Sequence, residues 1–308
     1  MSLFDESSLR KLEQLSLLAD SVRVGSMKGD RQSRKRGSAI EFADYREYTP
    51  GDDLRRLDWN VFARLDRPFV KLTEEEEDLA VHILVDTSTS MDWPQGDDET
   101  ETGSNKLRYA ILLSGALGYL ALASGDLVNI TLFNSNEFRT WGPFRGRQNG
   151  WPLLQFLEAN YVALTTRDGN QPRQTPLDHF LADYARRAKR PGLLVLVSDL
   201  LASNGFRNGL NEILSRGYEV ALLHVHSPDE ISPKLDGDLR LIDVETNETA
   251  EITIDALVIE EYINRLQEWH SGIATWCTSR GIHYLPITTD VSWERIVMGL
   301  LREQGVVR

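Results

Sequence analysis

The sequence predicts an α/β fold: a doubly wound, mainly parallel sheet with helices on both faces. Three observations carry that prediction. Apolar runs without polar alternation recur at residues 79–85, 127–133, 193–197 and 218–225, and such runs belong to strands covered on both sides. Segments of helical period separate them, the succession that builds a parallel sheet. The 308 residues are 41% hydrophobic and 26% charged, a globular composition long enough to bury a full core.

Taken in order, residues 3–18 place Leu9, Leu12, Leu15 and Leu18 at helical spacing, predicting a short amphipathic helix appended to the main body. Residues 22–37 set Arg23, Lys28, Arg31, Arg34, Lys35 and Arg36 against one acid, Asp30, either a solvated loop or an anion or partner site. Residues 41–71 are aromatic and charged, and Pro50-Gly51-Asp52-Asp53 marks a turn. Arg55 and Arg56 are expected to pair with carboxylates while Trp59 and Phe62 pack, as a buttress or as a partner surface. Residues 1–78 therefore read as an extension and residues 79–308 as the main domain.

In the main domain the first core strand, 79–85, precedes a helix at 106–123 that is apolar almost all round. Strand 127–133 follows, then an edge strand at 138–141 and helices at 153–159 and 177–188. Strand 193–197 leads to helix 206–214, closed by Gly217 as a C-terminal cap, and to strand 218–225. Residues 239–244 and 251–254 alternate around Thr246-Asn247-Glu248, predicting a β-hairpin inserted at about residues 236–255. A long helix through Ile259 and Ile273, a strand at 282–287 and a helix at 293–304 complete the chain.

Charge and cysteine usage exclude several functions. A formal net charge of −13 repels duplex nucleic acid and anionic lipid. Cys277 is the one cysteine, which rules out an internal disulfide and Cys-rich zinc sites and fits a reducing compartment. The first nineteen residues lack the apolar core of a signal peptide, and the apolar stretch 109–123 is shorter than the ~20 residues that span a bilayer. A cytoplasmic location is the expectation.

Ligands of such sheets bind at the carboxyl ends of the strands. The first core strand runs directly into Asp86-Thr87-Ser88-Thr89-Ser90. One carboxylate and two hydroxyls at spacing two form an all-oxygen set suited to a hard divalent cation. The same pattern serves as an Asx or Ser turn, but its place at the end of a core strand favours a metal. Thr175, in Thr175-Pro176-Leu177-Asp178, is a second oxygen donor and equally a good helix cap. Asp199, closing strand 193–198, is a third. His224 and His226, two apart on a buried strand, read as core histidines bonded to their neighbours. No Gly-x-Ser-x-Gly, His-Glu-x-x-His, Walker A or Gly-x-Gly-x-x-Gly motif occurs. The enzymatic alternative is a metal-dependent phosphatase or nuclease on Asp86, Asp92 and Asp199, which hydroxyl-rich coordination disfavours.

Asp86-x-Ser88-x-Ser90, then Thr175, then Asp199 resemble the metal-ion-dependent adhesion site of the von Willebrand factor A domain. The resemblance implies that Ser88, Ser90 and Thr175 ligate Mg²⁺ or Mn²⁺, with Asp86 and Asp199 acting largely through bound waters. Thr165 and Thr166 compete for the threonine role, and Ser198-Asp199-Leu200 stands where adhesion relatives have Asp-Gly. Residues 48–53, Arg55, Leu57-Asp58-Trp59, Ala63-Arg64, Val70-Lys71, Asp243-Val244-Glu245-Thr246 and Gly281-Ile282-His283-Tyr284 look like the bacterial family called domain of unknown function 58. That resemblance implies a non-enzymatic adaptor working with a MoxR-type AAA+ ATPase in chaperone-like maturation, with a client protein offering a Glu or Asp to the metal.

Overall fold

A computed structural model describes residues 3–4, 10–12, 14, 40–49, 57, 59–65, 67–75, 79–94, 105–134, 137–165, 176–187, 190–243 and 248–303. The chain divides into two compact units, residues 1–28 with 79–308, and residues 29–78.

The small unit contains β1 (Ile40–Glu47), α1 (Trp59–Leu65) and β2 (Phe69–Glu75). The two strands pair antiparallel, with a register shift between Phe42 and Asp44. Neither strand is evident in the sequence, because the irregularity breaks the alternation of β1 and consecutive glutamates end β2, a residue type depleted in strands. Trp59 and Phe62, expected to pack, are instead 65% and 37% exposed. They meet each other edge to face, with ring centroids 6.2 Å apart. Arg55, Arg56 and the basic residues 22–37 lie outside the described residues.

The large unit is built on six strands: β3 (Ala80–Asp86), β4 (Leu127–Phe133), β5 (Phe138–Arg145), β6 (Leu193–Ser198), β7 (Glu219–His226) and β10 (His283–Thr288). Their order is β10-β7-β6-β3-β4-β5, parallel throughout except for the antiparallel edge strand β5. The hairpin strands β8 (Gly237–Ile242) and β9 (Thr249–Ile254) form their own antiparallel pair. The helices are α2 (Lys106–Ala123), α3 (Gly150–Thr165), α4 (Leu177–Arg187), α5 (Arg207–Ser215), the single turn α6 (Pro228–Ile231), α7 (Ala256–Thr278) and α8 (Trp293–Glu303). This is the α/β fold that the alternation of apolar runs and helical periods predicts.

Side chains alternate across a strand, so β3 serves two cores. Val81, Ile83 and Val85 join Leu107, Ile111, Leu153 and Val297 from α2, α3 and α8. Leu84 joins Leu181, Leu210 and Ile273 from α4, α5 and α7 on the opposite face. The N-terminal segment, expected as an appendage, is built into the first core: Leu3, Phe4 and Leu12 are buried there. Gly115 on α2 makes room for Phe4, whose ring would lie 2.6 Å from an added Cβ.

From β3 the chain moves to β4 and β5 on one side, then returns to set β6, β7 and β10 on the other. Succession therefore reverses between β3 and β6, the switch point where sheets of this kind place a ligand crevice at the carboxyl ends of their strands. Asp86 is the last residue of β3, and Asp199 follows β6 directly.

Candidate metal centre

At that crevice the Asp86 carboxylate is held on both sides. Oδ1 accepts from the Ser88 amide at 2.9 Å, and Oδ2 accepts from the Ser198 hydroxyl at 2.7 Å. The first bond is the Asx turn that the spacing allows, and the second ties the tip of β3 to that of β6. The turn brings the Ser88 and Ser90 hydroxyl oxygens to 3.0 Å from each other, both buried. Thr87, between Asp86 and Ser88 in sequence, points elsewhere, its hydroxyl donating to the Phe133 carbonyl.

Asp199 is buried one residue beyond the Ser198 bond. Its Oδ1 accepts from the Leu201 amide at 3.2 Å, and its Oδ2 accepts from the Lys106 ammonium at 2.8 Å. Leu200, in the place of the glycine of adhesion sites, adopts φ 57°, the left-handed region that a branched side chain enters at about 1–2 kcal/mol. The backbone thus takes a glycine-like turn without glycine.

Lys106 is 0% exposed, and its ammonium also donates to Glu230 Oε1 at 2.5 Å. Burial alone would lower its pKa, but the carboxylates of Asp199 and Glu230 outweigh burial and raise it. Glu230 is placed by a capping box, its other oxygen accepting from the Ser227 amide. Sequence reasoning missed both residues. The Ser227 to Glu230 capping spacing was a legible signal; Lys106 reads as the ordinary first residue of an apolar helix.

The other expected donors separate. Thr175 and Thr166 lie outside the described residues. The Thr165 hydroxyl is exposed and bonds back to the Tyr161 and Val162 carbonyls of its own helix. Asp92 Oδ1 accepts from Asn105, the residue that caps α2; Asp92 organises the loop rather than the crevice.

The residues present fit a hard dication. Neighbouring ligands of an octahedral Mg²⁺ at about 2.1 Å stand about 3.0 Å apart, the separation of the two serine hydroxyls. Formally, the buried carboxylates of Asp86 and Asp199 and the partly exposed one of Glu230, with the Lys106 ammonium, leave two negative charges. One divalent cation would neutralise them.

The sequence model of the family described as protein of unknown function DUF58 matches residues 44–271. An uncharacterised protein of Mycobacterium bovis and one of Mycobacterium tuberculosis are each 25% identical to this chain over 282 residues, covering 92% of it and 85% of their own length. An uncharacterised protein of Mycobacterium avium is 31% identical over 108 residues, 35% of this chain and 63% of its own. Among solved structures, conserved hypothetical protein BatB from Bacteroides thetaiotaomicron aligns at a TM-score of 0.43 and 15% identity, over 74% of this chain and 98% of that one. An aerotolerance-related membrane protein from Bacteroides fragilis aligns at 0.42 and 16%, over 73% and 99%.

Proposed function

The chain belongs to the DUF58 family of unknown function, and from that premise we propose a non-enzymatic, metal-dependent protein-binding module of the von Willebrand factor A type. The observation that supports it best is the convergence of Ser88 and Ser90 beside the doubly bonded Asp86 at the switch point of the sheet. Ser88, Ser90 and Thr175 would hold Mg²⁺ or Mn²⁺, with Asp86 and Asp199 acting through water. When bound, the ion supplies an open coordination position for a carboxylate from another protein.

This chain's own residues do the rest. Asp86 orients the loop, Ser198 locks it to β6, and Lys106 keeps Asp199 fixed between its amide and ammonium donors. Ser88 and Ser90 bond to each other, and no base is hydrogen-bonded to either among the described residues; a nucleophile activated for hydrolysis needs such a partner. The partner we propose is a MoxR-type AAA+ ATPase, with a client protein supplying the Glu or Asp. Helix α2 is apolar enough to cross a membrane by length and composition, yet 72% of it is buried and its first residue is Lys106 of the site. We read it as a core helix and place the protein in the cytoplasm.

The test is association of the purified chain with a MoxR-type ATPase, followed in magnesium and in chelator, with calorimetry of Mg²⁺ binding alongside. Wild type should bind Mg²⁺ and associate at least about tenfold more tightly in its presence, and Asp86→Ala should lose both. Equal association in magnesium and chelator overturns the recognition model, and equal Mg²⁺ heats in wild type and Asp86→Ala overturn the site.

A further inference from the structure

Beyond Asp199 lies a second concentration of ligand chemistry. His224 and His226 project from one face of β7, and His270 meets them from α7. Ring centroids are 3.9 Å apart for His224 and His226, 4.6 Å for His226 and His270, and 5.3 Å for His224 and His270. One nitrogen from each ring lies within 4.8 Å of one from each of the others.

As core histidines these rings should be satisfied by neighbours, and His224 is. Its Nε2 lies 2.9 Å from the Asp199 carbonyl, which only accepts, so Nε2 donates and Nδ1 accepts from the Tyr284 hydroxyl at 2.8 Å. The other two rings differ. Nε2 of His226 and Nε2 of His270 are both buried without a hydrogen-bond partner. An unsatisfied buried polar atom costs about 1–3 kcal/mol, and two in one cluster of imidazoles share a single remedy.

We infer that His226, His270 and His224 form a second cation site, one that takes a borderline transition dication of the zinc type and rejects magnesium. Imidazole nitrogen suits zinc, whereas magnesium demands oxygen. Tetrahedral zinc at 2.0–2.1 Å from nitrogen sets ligand atoms about 3.3 Å apart. The 4.8 Å outer limit therefore requires closure of at most about 1.5 Å, within side-chain rotation. His224 holds a bond on each ring nitrogen, so to ligate it would give up one of them and keep the other as the orienting contact that metal-bound imidazoles use. Asp199 favours a positive charge near His226, and Lys106 opposes it. This site uses a different donor set from the serine crevice and stands whether or not that crevice binds magnesium.

The experiment uses untagged full-length protein stripped with chelator and titrated with Co²⁺, then with Zn²⁺. In millimolar Mg²⁺, which occupies an all-oxygen site, wild type should take up one Co²⁺ with the visible ligand-field bands of tetrahedral nitrogen coordination and lose them to equimolar Zn²⁺. His270→Gln and His226→Gln should each weaken uptake by about tenfold or more, while His179→Gln, at an exposed histidine outside the cluster, retains it. Absence of stoichiometric cobalt uptake by wild type, or equal bands in both histidine variants, overturns the site. Should a histidine variant fail to fold by circular dichroism, the wild-type spectrum and its displacement by zinc decide alone.

Discussion

At the scale of single residues, Lys106 carries the sharpest consequence. A buried ammonium between two carboxylates is tolerated only as a set, and removing one member leaves uncompensated charge, at about 3–5 kcal/mol. Lys106→Met should therefore lower stability by about that amount in urea unfolding. Millimolar Mg²⁺ should restore more stability to this variant than to wild type, since a dication replaces part of the lost charge; a variant as stable as wild type would remove the ion pair from the design. His82 gives a pH signature of its own. Its Nε2 donates to the Arg190 carbonyl and its Nδ1 accepts from Tyr184, and burial, only partly offset by that carbonyl, holds its pKa below 6.5. Below pH 6.5 the unfolded chain takes up a proton that the native ring refuses, so stability is lost as pH falls from there. His82→Gln should flatten the pH dependence of unfolding free energy between pH 6.5 and 5; an unchanged slope would show that His82 does not contribute. Asp86, Ser88, Ser90 and Asp199 were legible as candidates because they sit at or just beyond the end of an apolar strand. Lys106 was hidden because its partners are 93 and 124 residues away in sequence.

At the scale of elements, the apolar runs and the amphipathic helices α4, α5 and α8 were legible, whereas the strands of the small unit and the full extent of α3 were not. Helix α3 begins at Gly150 and ends at Thr165, well beyond the stretch 153–159 that its leucines suggest, because packing on α2 sustains turns that propensity alone does not mark. The closeness of α4 and α5 was likewise invisible: a Cβ on Gly209 would stand 2.5 Å from the Asp178 carbonyl, so only glycine permits that approach. The N-terminal segment and α1 make a contrasting pair. Phe4 is buried in the core and Phe62 is half exposed. Phe4→Ala should cost about 3–5 kcal/mol, as buried Phe truncations do, whereas Phe62→Ala should stay within about 0.5 kcal/mol, as at ordinary surface positions. Chemical denaturation of both variants checks this, and equal effects would mean that the first residues do not belong to the core.

At the scale of the whole molecule, strand order turns local motifs into a site. An Asp-x-Ser-x-Ser loop is unremarkable until β6 returns beside β3 and brings Ser198 against Asp86, and this long-range adjacency is what the sequence pattern alone leaves open. Net charge acts over the same scale. At −13 the chain repels an acidic docking segment beyond contact range, and salt near 0.15 M screens such repulsion within about 8 Å. The proposed carboxylate contact at a metal would be short-ranged and escape most of that screening. The two effects therefore fall on different rate constants. In magnesium, raising salt from about 0.05 to 0.5 M should speed association with the ATPase as the overall repulsion fades, and leave dissociation little changed. Chelator at constant salt should act the other way, accelerating dissociation because the charged contact that holds the complex is gone. Surface-immobilised kinetics resolve both. Slower association in high salt would assign the encounter to the basic residues 22–37 rather than to net charge, and dissociation unchanged by chelator would remove the metal from the interface.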